Sequence, residues 1–295
     1  MQQLSVICGQ AANLTARFCL CCVMIVAWNA FPPVGIHAAE PPKVTILTTD
    51  GGVKFGILGE KPAKPAPTLI VLASSPEATL GSDYFLQCGV MLAKQGYLCV
   101  SLDLPCHGQQ VVAGEPSEIS GWRHRLDAGQ DLLADMHRRS RAMLDYLIAN
   151  GYSDPEKIAA CGTSRGGFIS LHIAADDKRI QCVAAIAPVT DPLVVREFKG
   201  MAHPERAAAV SVINLADALA GRGVWIVIGD RDERVSTDRA IEFARRLSAV
   251  AVEKNVPSQV ELLVRSEPRG HTTPPGSAEQ AAIWIAAQLK TGPAM

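Results

Sequence analysis

The chain lacks an excess of charge of either sign: 28 Lys and Arg face 29 Asp and Glu, a net charge of −1. Proteins that hold nucleic acid or an anionic membrane surface by their field carry a basic excess, so neither partner finds support here. No internal repeat and no long low-complexity run occurs, which argues against a solenoid and against a long linker. No Cys-x-x-Cys pair is present, so the usual thiol spacing of a metal or redox site is missing. No apolar run reaches the ~20 residues that a membrane span needs. A Leu-x-x-Cys lipobox with a small residue before its cysteine is also missing. What remains is ordinary globular composition: 295 residues, 48% hydrophobic and 19% charged, enough for one well-filled core.

The N-terminus reads as an address. Arg17 precedes an apolar run from Phe18 to Phe31, interrupted by Asn29, and Pro32-Pro33 and small residues to Ala38-Ala39 follow. This pattern predicts a secretory signal over residues 1–39, cleaved after Ala38 or Ala39, and a secreted or periplasmic mature protein. An uncleaved membrane anchor and a misassigned start are the alternatives. Of nine cysteines, Cys8, Cys19, Cys21 and Cys22 lie in this leader. The other five, Cys88, Cys99, Cys106, Cys161 and Cys182, cannot all pair within one chain. Cys99, Cys161 and Cys182 fall in predicted core strands, where a free thiol behaves as a small hydrophobe.

Residues 40–295 read as one α/β domain. Val44–Leu47 and Val53–Leu58 form a predicted hairpin around Asp50-Gly51-Gly52, and the proline-rich stretch Glu60–Pro67 is a stiff surface link. Continuous apolar runs follow at Leu69–Ala73, Tyr97–Leu102, Ile158–Cys161, Cys182–Ala187, Val224–Ile228 and Val260–Val264. Helical patterns separate most of them, at about Asp83–Gln95, Leu126–Ala149, Gly166–Ala175 and Thr237–Glu253, with a last one at Ser277–Leu289. Apolar strands alternating with amphipathic helices predict a parallel sheet covered on both faces. Asp191–Leu219 is a small insertion after the sixth strand, expected to form one or two helices over the strand ends. Ligand sites of such sheets lie at the carboxyl ends of the strands.

Gly162-Thr163-Ser164-Arg165-Gly166-Gly167 carries the chemistry. An apolar strand leads into it and a helix leaves it, which is the setting of a serine held on a strained turn with its hydroxyl pushed clear of the sheet. A serine hydroxyl is a weak nucleophile at neutral pH; it needs a base, and the base needs a group to fix its tautomer. Among seven histidines, His37 lies in the leader, His124 and His137 look solvated, His172 is carried away on the following helix, and His203 lies in the insertion. His271, in Gly270-His271-Thr272-Thr273, follows the last strand and is the predicted base. His107, in Asp103-Leu104-Pro105-Cys106-His107-Gly108, is expected to organise its loop. For the acid, Gly229-Asp230-Arg231-Asp232 follows another strand. Asp232 is preferred for its reach, Asp230 is expected to shape the turn, and Asp191 is held in reserve. A metal site from Asp103, Cys106 and His107 is disfavoured, because adjacent ligands on one short turn converge poorly on a tetrahedral ion.

With these residues in view the chain resembles the α/β-hydrolase superfamily over about residues 43–290. It is similar to dienelactone-hydrolase-like and prolyl-oligopeptidase-like members. The matching motifs are Gly162-x-Ser164-x-Gly166-Gly167, Gly229-x-x-Asp232-x-x-Val235, Gly270-His271 and Asp103-x-Pro105-x-His107-Gly108. The resemblance implies an α/β-hydrolase fold with an eight-stranded, mostly parallel sheet. It also implies a serine nucleophile, a histidine base, an aspartate orienter and no cofactor. One departure stands out. Where relatives carry His-Gly after the first parallel strand, this chain has Ser74-Ser75-Pro76, and proline has no N–H to donate. The oxyanion donors expected in its place are the N–H of Arg165 with Ser75.

The reading that follows is a serine hydrolase acting on small-molecule carboxylic esters through a Ser164-His271-Asp232 triad and an acyl-enzyme. No insertion is large enough for a propeller, which ranks ester above peptide. A serine peptidase of prolyl-oligopeptidase type and a non-catalytic binding protein of the same fold are the rivals. No nucleic acid and no stable membrane insertion of the mature chain are expected. Specificity is expected in the Leu104–Gly121 loop and the Asp191–Leu219 insertion, with Trp122, Phe198 and Met201 as candidate pocket residues. Arg165 and Arg123 are candidates for an anionic substrate group.

Overall fold

The computed structural model describes residues 43–291. The expected signal peptide, its cleavage point at Ala38-Ala39 and the four leader cysteines lie outside them. Eight strands form one sheet: β1 (Val44–Thr48), β2 (Lys54–Leu58), β3 (Ala66–Leu72), β4 (Leu98–Ser101), β5 (Ser153–Thr163), β6 (Ile180–Ile186), β7 (Gly223–Gly229) and β8 (Val260–Arg265). Their order across the sheet is β1-β2-β4-β3-β5-β6-β7-β8. β2 runs antiparallel to both β1 and β4, and every other neighbouring pair is parallel.

Ten helices accompany the strands among the described residues. Three short ones, α1 (Pro76–Leu80), α2 (Asp83–Leu86) and α3 (Gly89–Lys94), join β3 to β4. Next come α4 (Glu118–Asp127), α5 (Ala134–Ala149) and α6 (Arg165–Asp176). α7 (Pro204–Ala209) and α8 (Ala216–Leu219) belong to the insertion, and α9 (Thr237–Glu253) and α10 (Ser277–Thr291) complete the set. Alternate residues of a strand face opposite ways, and both faces are buried here. Ile70, Leu72, Val183, Ala185, Ile226 and Ile228 pack toward α5, α6 and α9, whereas Leu69, Val71, Cys161, Ala184, Trp225 and Val227 pack toward α3 and α10. This double burial is why the strands read as continuous apolar runs.

Two expected helices are broken, each for a local reason. The segment expected at Leu126–Ala149 stops at Asp127 and resumes at Ala134. Gly129 takes φ +74° between them, and Asp131 Oδ1 accepts from the N–H groups of Leu133 (2.9 Å) and Ala134 (3.0 Å), opening α5. The segment expected at Asp83–Gln95 is split where Gln87 takes φ +52°. Helix also starts earlier than expected, at Pro76: Ser75 caps α1, accepting from Ala78 N at 3.3 Å, and Pro76 fills the first helical position, where a missing N–H costs nothing. Of the histidines expected to be solvated, His124 is exposed but His137 is half-buried, between α5 and Asp176.

The turn from β5 into α6 is the tightest crossing in the sheet. Ser164 sits at φ 54°, ψ −115°, a conformation L-residues rarely adopt. A Cβ on Gly166 would strike the Leu72 carbonyl oxygen of β3, and one on Gly162 would strike the Gly166 carbonyl. A Cβ on Gly167 would come 2.9 Å from Pro188 Cβ. The glycines therefore let the helix start lie directly on two strand ends. Because the blocking atoms at Gly166 are backbone, no side-chain rotation relieves the clash. Gly166→Ala is expected to destabilise the protein by about 3 kcal/mol or more, the range of a severe backbone clash. Chemical denaturation measures this, and a midpoint equal to the parent's would refute it.

α6 also carries a buried histidine. His172 Nε2–H donates to the Val210 carbonyl at 2.9 Å, joining α6 to the insertion, and its ring lies 4.4 Å from that of Phe168 and 6.3 Å from that of His137. Burial pushes the imidazole down from 6.5 to about 3, so it is neutral when folded. Between those values the unfolded chain takes up a proton that the folded one refuses. The group's contribution to stability is complete above about pH 6.5 and falls with pH below it, by up to roughly 1.4 kcal/mol per unit. His137, also pushed down by burial, acts in the same direction. Urea unfolding is expected to show stability declining from about pH 7 to about pH 5, and His172→Gln, which keeps an N–H donor, should flatten that slope. An unchanged slope would refute the assignment.

Candidate active site

The parallel order places β5, β6, β7 and β8 side by side, so the loops leaving β5, β7 and β8 meet at one edge. Ser164 follows β5, Asp232 follows β7 by three residues, and His271 follows β8 by six. Ser164 Oγ lies 2.9 Å from His271 Nε2, and His271 Nδ1 lies 2.7 Å from Asp232 Oδ2. Three side chains from three loops thus form one hydrogen-bonded row.

Each member is held from behind. The Asp232 side chain is fully buried, and its Oδ1 accepts from the N–H groups of Arg234 (3.1 Å) and Val235 (3.2 Å), which fixes the carboxylate plane and leaves Oδ2 for the imidazole. Asp230 shapes the turn, as the sequence suggests: its Oδ1 accepts from Glu267 N at 2.8 Å, tying the acid loop to the histidine loop. Glu267 in turn holds Arg269 through its backbone N–H (3.1 Å) and guanidinium (2.7 and 2.6 Å). Gly270 takes φ +78° just before His271, a turn that glycine makes without strain. On the other side, Gln87 Nε2 donates to Thr273 Oγ1 at 3.0 Å. The insertion is fastened to the same acid loop, because Arg234 grips Glu197 through two bonds of 2.6 and 2.7 Å.

A cavity of about 220 Å³ opens over the serine, lined by Ala73, Tyr84, Phe85, Thr163, Ser164, Arg165, Ala187, His271 and Thr272. Tyr84 and Phe85 come from α2 and were not singled out from the sequence. Their signal is weak, because two aromatics on a short helix are indistinguishable from core until the helix break at Gln87 is known. Trp122, Phe198 and Met201, the candidate pocket residues, belong to the core instead. Trp122 is 1% exposed, donates from Nε1 to the Pro105 carbonyl at 2.6 Å and stacks 5.4 Å from Phe168, while Phe198 is buried and Met201 packs against the same cluster. Arg123 bonds the Gly200 carbonyl at 2.8 Å, holding the insertion rather than facing the serine.

Asp191 accepts from Leu193 N at 3.0 Å and contacts Arg239, so it caps a turn and stands apart from His271. His107 is buried with Nδ1 2.8 Å from the Pro105 carbonyl, and burial holds its pKa down. Burial likewise raises the Asp103 carboxyl. Among the described residues, no group of three or more His, Cys, Asp or Glu could hold a metal ion, and the five described cysteines are buried and unbridged. No helix among them is long and apolar enough to cross a membrane. Of the two expected oxyanion donors, Arg165 is the first residue of α6 and lines the cavity. Ser75 caps α1, and the wall at the end of β3 is Ala73.

Comparison with known proteins fits this geometry. The chain is 26% identical over 140 residues to inactive dipeptidyl peptidase 10 of Mus musculus, a match spanning 42% of this chain and 18% of that protein. The chain thus spans under a fifth of that curated relative's length. Its structure is similar to TT1662 from Thermus thermophilus, with a TM-score of 0.61 at 18% identity, covering 84% of this chain and 98% of that one. It is also similar to the Pyrococcus furiosus esterase Pf2001, with a TM-score of 0.56 at 20% identity, covering 86% and 93%. These two likenesses show the α/β-hydrolase fold. Residues 120–286, more than half of the chain and the stretch that carries Ser164, Asp232 and His271, match the prolyl oligopeptidase family model, and the chain belongs to that family.

Proposed function

We propose that the protein is a serine hydrolase that cleaves short-chain carboxylic esters. The observation that carries this reading is the unbroken row Ser164 Oγ, His271 Nε2, His271 Nδ1 and Asp232 Oδ2, with contacts of 2.9 and 2.7 Å, at a strained turn beneath an open cavity. In this reading Ser164 Oγ attacks the ester carbonyl while His271 Nε2 takes its proton. Asp232 keeps Nδ1 protonated and offsets the imidazolium charge. The negative oxygen of the tetrahedral intermediate meets the N–H of Arg165, which points from the start of α6 with the helix dipole behind it. Ser75 is the proposed second contributor, through a hydroxyl that accepts from Ala78 N and keeps its own hydrogen to donate. His271 returns the proton to the leaving alcohol, and water then releases the acyl group by the same steps reversed.

Cavity size supports ester over peptide. About 220 Å³ lies below the ~300 Å³ at which drug-sized ligand pockets begin, and Tyr84 and Phe85 line it with aromatic surface. That space suits a short acyl group. Family membership favours a peptidase as the second reading. The Ser75-Pro76 cap favours a third, a binding protein without turnover, since it occupies the strand end where a backbone donor usually stands.

A fluorophosphonate probe and a panel of acyl esters and aminoacyl amides separate the three. The expected result is labelling of the parent protein at Ser164 and fastest turnover of short acyl esters. Ser164→Ala should lose both labelling and turnover with an unchanged unfolding midpoint. Asp232→Asn should lower kcat about 10⁴-fold, the order seen when such a histidine is left in the wrong tautomer. Full activity of Ser164→Ala would refute the hydrolase reading, amides outrunning esters would favour the peptidase, and a folded parent that takes no label would favour the binder. We further propose export with cleavage after Ala38 or Ala39. N-terminal sequencing of the protein released from cells should begin at Ala39 or Glu40, and an intact leader would refute it.

A further inference from the structure

Arg165 does more at this site than carry a backbone donor. Its side-chain Nε donates to the carbonyl of Ala73, a neighbour in the cavity wall, at 2.9 Å, which sets the plane of the guanidinium. That bond uses one of five N–H groups. The two Nη atoms make no hydrogen bond and no ion pair within the described residues, although Arg165 lines the same cavity as Ser164 and His271. Burial disfavours the charge and pushes its pKa down. The surrounding charges leave it unmatched. Arg234 repels it, but both Nη atoms of Arg234 are occupied by Glu197. Glu118 favours the charge from a distance, is exposed, and forms no ion pair with it. An arginine pinned in plane, half-buried and open at both Nη atoms is a preorganised fork for a planar carboxylate. A purely alkyl acyl pocket has no use for it, since an apolar substrate would strip water from those donors and return nothing.

We propose that Arg165 selects substrates by charge: the ester cleaved at Ser164 carries a carboxylate, bound end-on by the two Nη atoms of Arg165. This rests on the serine hydrolase reading and adds the substrate class to it. The carboxylate can lie on the acyl side or on the alcohol side of the scissile bond, and the two sources are separable.

The test compares matched aryl esters on the parent, Arg165→Lys and Arg165→Met proteins. 4-Nitrophenyl hemisuccinate against 4-nitrophenyl butyrate places the charge on the acyl side. 4-Acetoxybenzoate against its methyl ester places it on the alcohol side. The reading is the ratio of kcat/KM for the charged ester to that for its neutral partner, so that any loss common to both cancels. In one arm the parent should favour the charged ester by roughly tenfold or more; Arg165→Met should bring that ratio to about one, mainly through KM, and Arg165→Lys should keep part of it. The same ratio in parent and Arg165→Met, in both arms, overturns the proposal. If no ester is turned over, the hydrolysis reading fails separately, and calorimetry on Ser164→Ala decides the subsite. Succinate or benzoate binding that is lost in Ser164→Ala/Arg165→Met supports it, and binding that is absent or unchanged overturns it.

Discussion

The contact on which the rest of this molecule depends is the approach of the α6 start to the Leu72 carbonyl. With no side chain at Gly166, the first turn of the helix lies against the end of β3, and with none at Gly162 the chain doubles back on itself. Both gaps are needed for Ser164 to stand at φ 54° with its oxygen above the sheet. Strain of this kind, of the order of 1–3 kcal/mol per residue, persists only where its surroundings over-determine it. Here they do: Ser164 N donates to the Ile186 carbonyl at 2.9 Å, and Ser164 O accepts from Val189 N at 3.1 Å and from Phe168 N at 3.1 Å. The Ser164 backbone is held between two strand ends and a helix, so in the proposed reaction its side chain needs little ordering.

The same economy of motion extends to His271 and Asp232, the proposed base and acid. His271 sits in a loop whose shape depends on contacts outside it: Asp230 holds Glu267, Glu267 holds Arg269, and Gln87 holds Thr273. The acid loop is gripped from the insertion by Glu197. The sheet thus sets which loops are neighbours, and a network of hydrogen bonds, most of them to carboxylates, sets how far apart their side chains stand. Because preorganised groups need no rearrangement when charge develops, this network serves the proposed reaction as well as stability. It also couples the insertion to the acid. Any movement of the segment around Glu197 pulls on Arg234, whose own N–H bonds Asp232 Oδ1.

Much of this was legible in the residues. Buried parallel strands show as continuous apolar runs, which located β3 to β7, while the Asp50-Gly51-Gly52 turn located β1 and β2 and a shorter apolar run located β8. The longest error was at β5, which starts at Ser153, where Asp-Pro-Glu-Lys hides the strand. The order of Ser164, Asp232 and His271 after β5, β7 and β8 was readable because loops at one end of a parallel sheet converge. The choice of Asp232 over Asp230 and Asp191 rested on reach, and the three carboxylates do take distinct partners. What the residues did not disclose depends on tertiary direction. Trp122 and Phe198 are large and near the right loops, yet their rings turn inward. Tyr84 and Phe85 face the serine only because Gln87 and Ser82 cut the helix around them into short pieces. Nor does periodicity show which arginine of many has its fork unoccupied.

The departure at Ser74-Ser75-Pro76 has a structural cause that bears on catalysis. Read as an oxyanion loop, the proline is a defect. Read as a helix start, Ser75 at the cap and Pro76 at the first position are the favoured residues, and α1 begins there, covering β2. The chain has thus exchanged an open loop for a helix start, and Ser74 N is engaged by Thr79 Oγ1 at 3.1 Å. One donor removed from such a hole costs about 3 kcal/mol of transition-state stabilisation. In the proposed reading the N–H of Arg165, on the helix side, then carries most of that duty, with the Ser75 hydroxyl as its partner. The Arg165 guanidinium, tied by its Nε bond to the Ala73 carbonyl, stands at the same strand end and is left for the substrate's own charge.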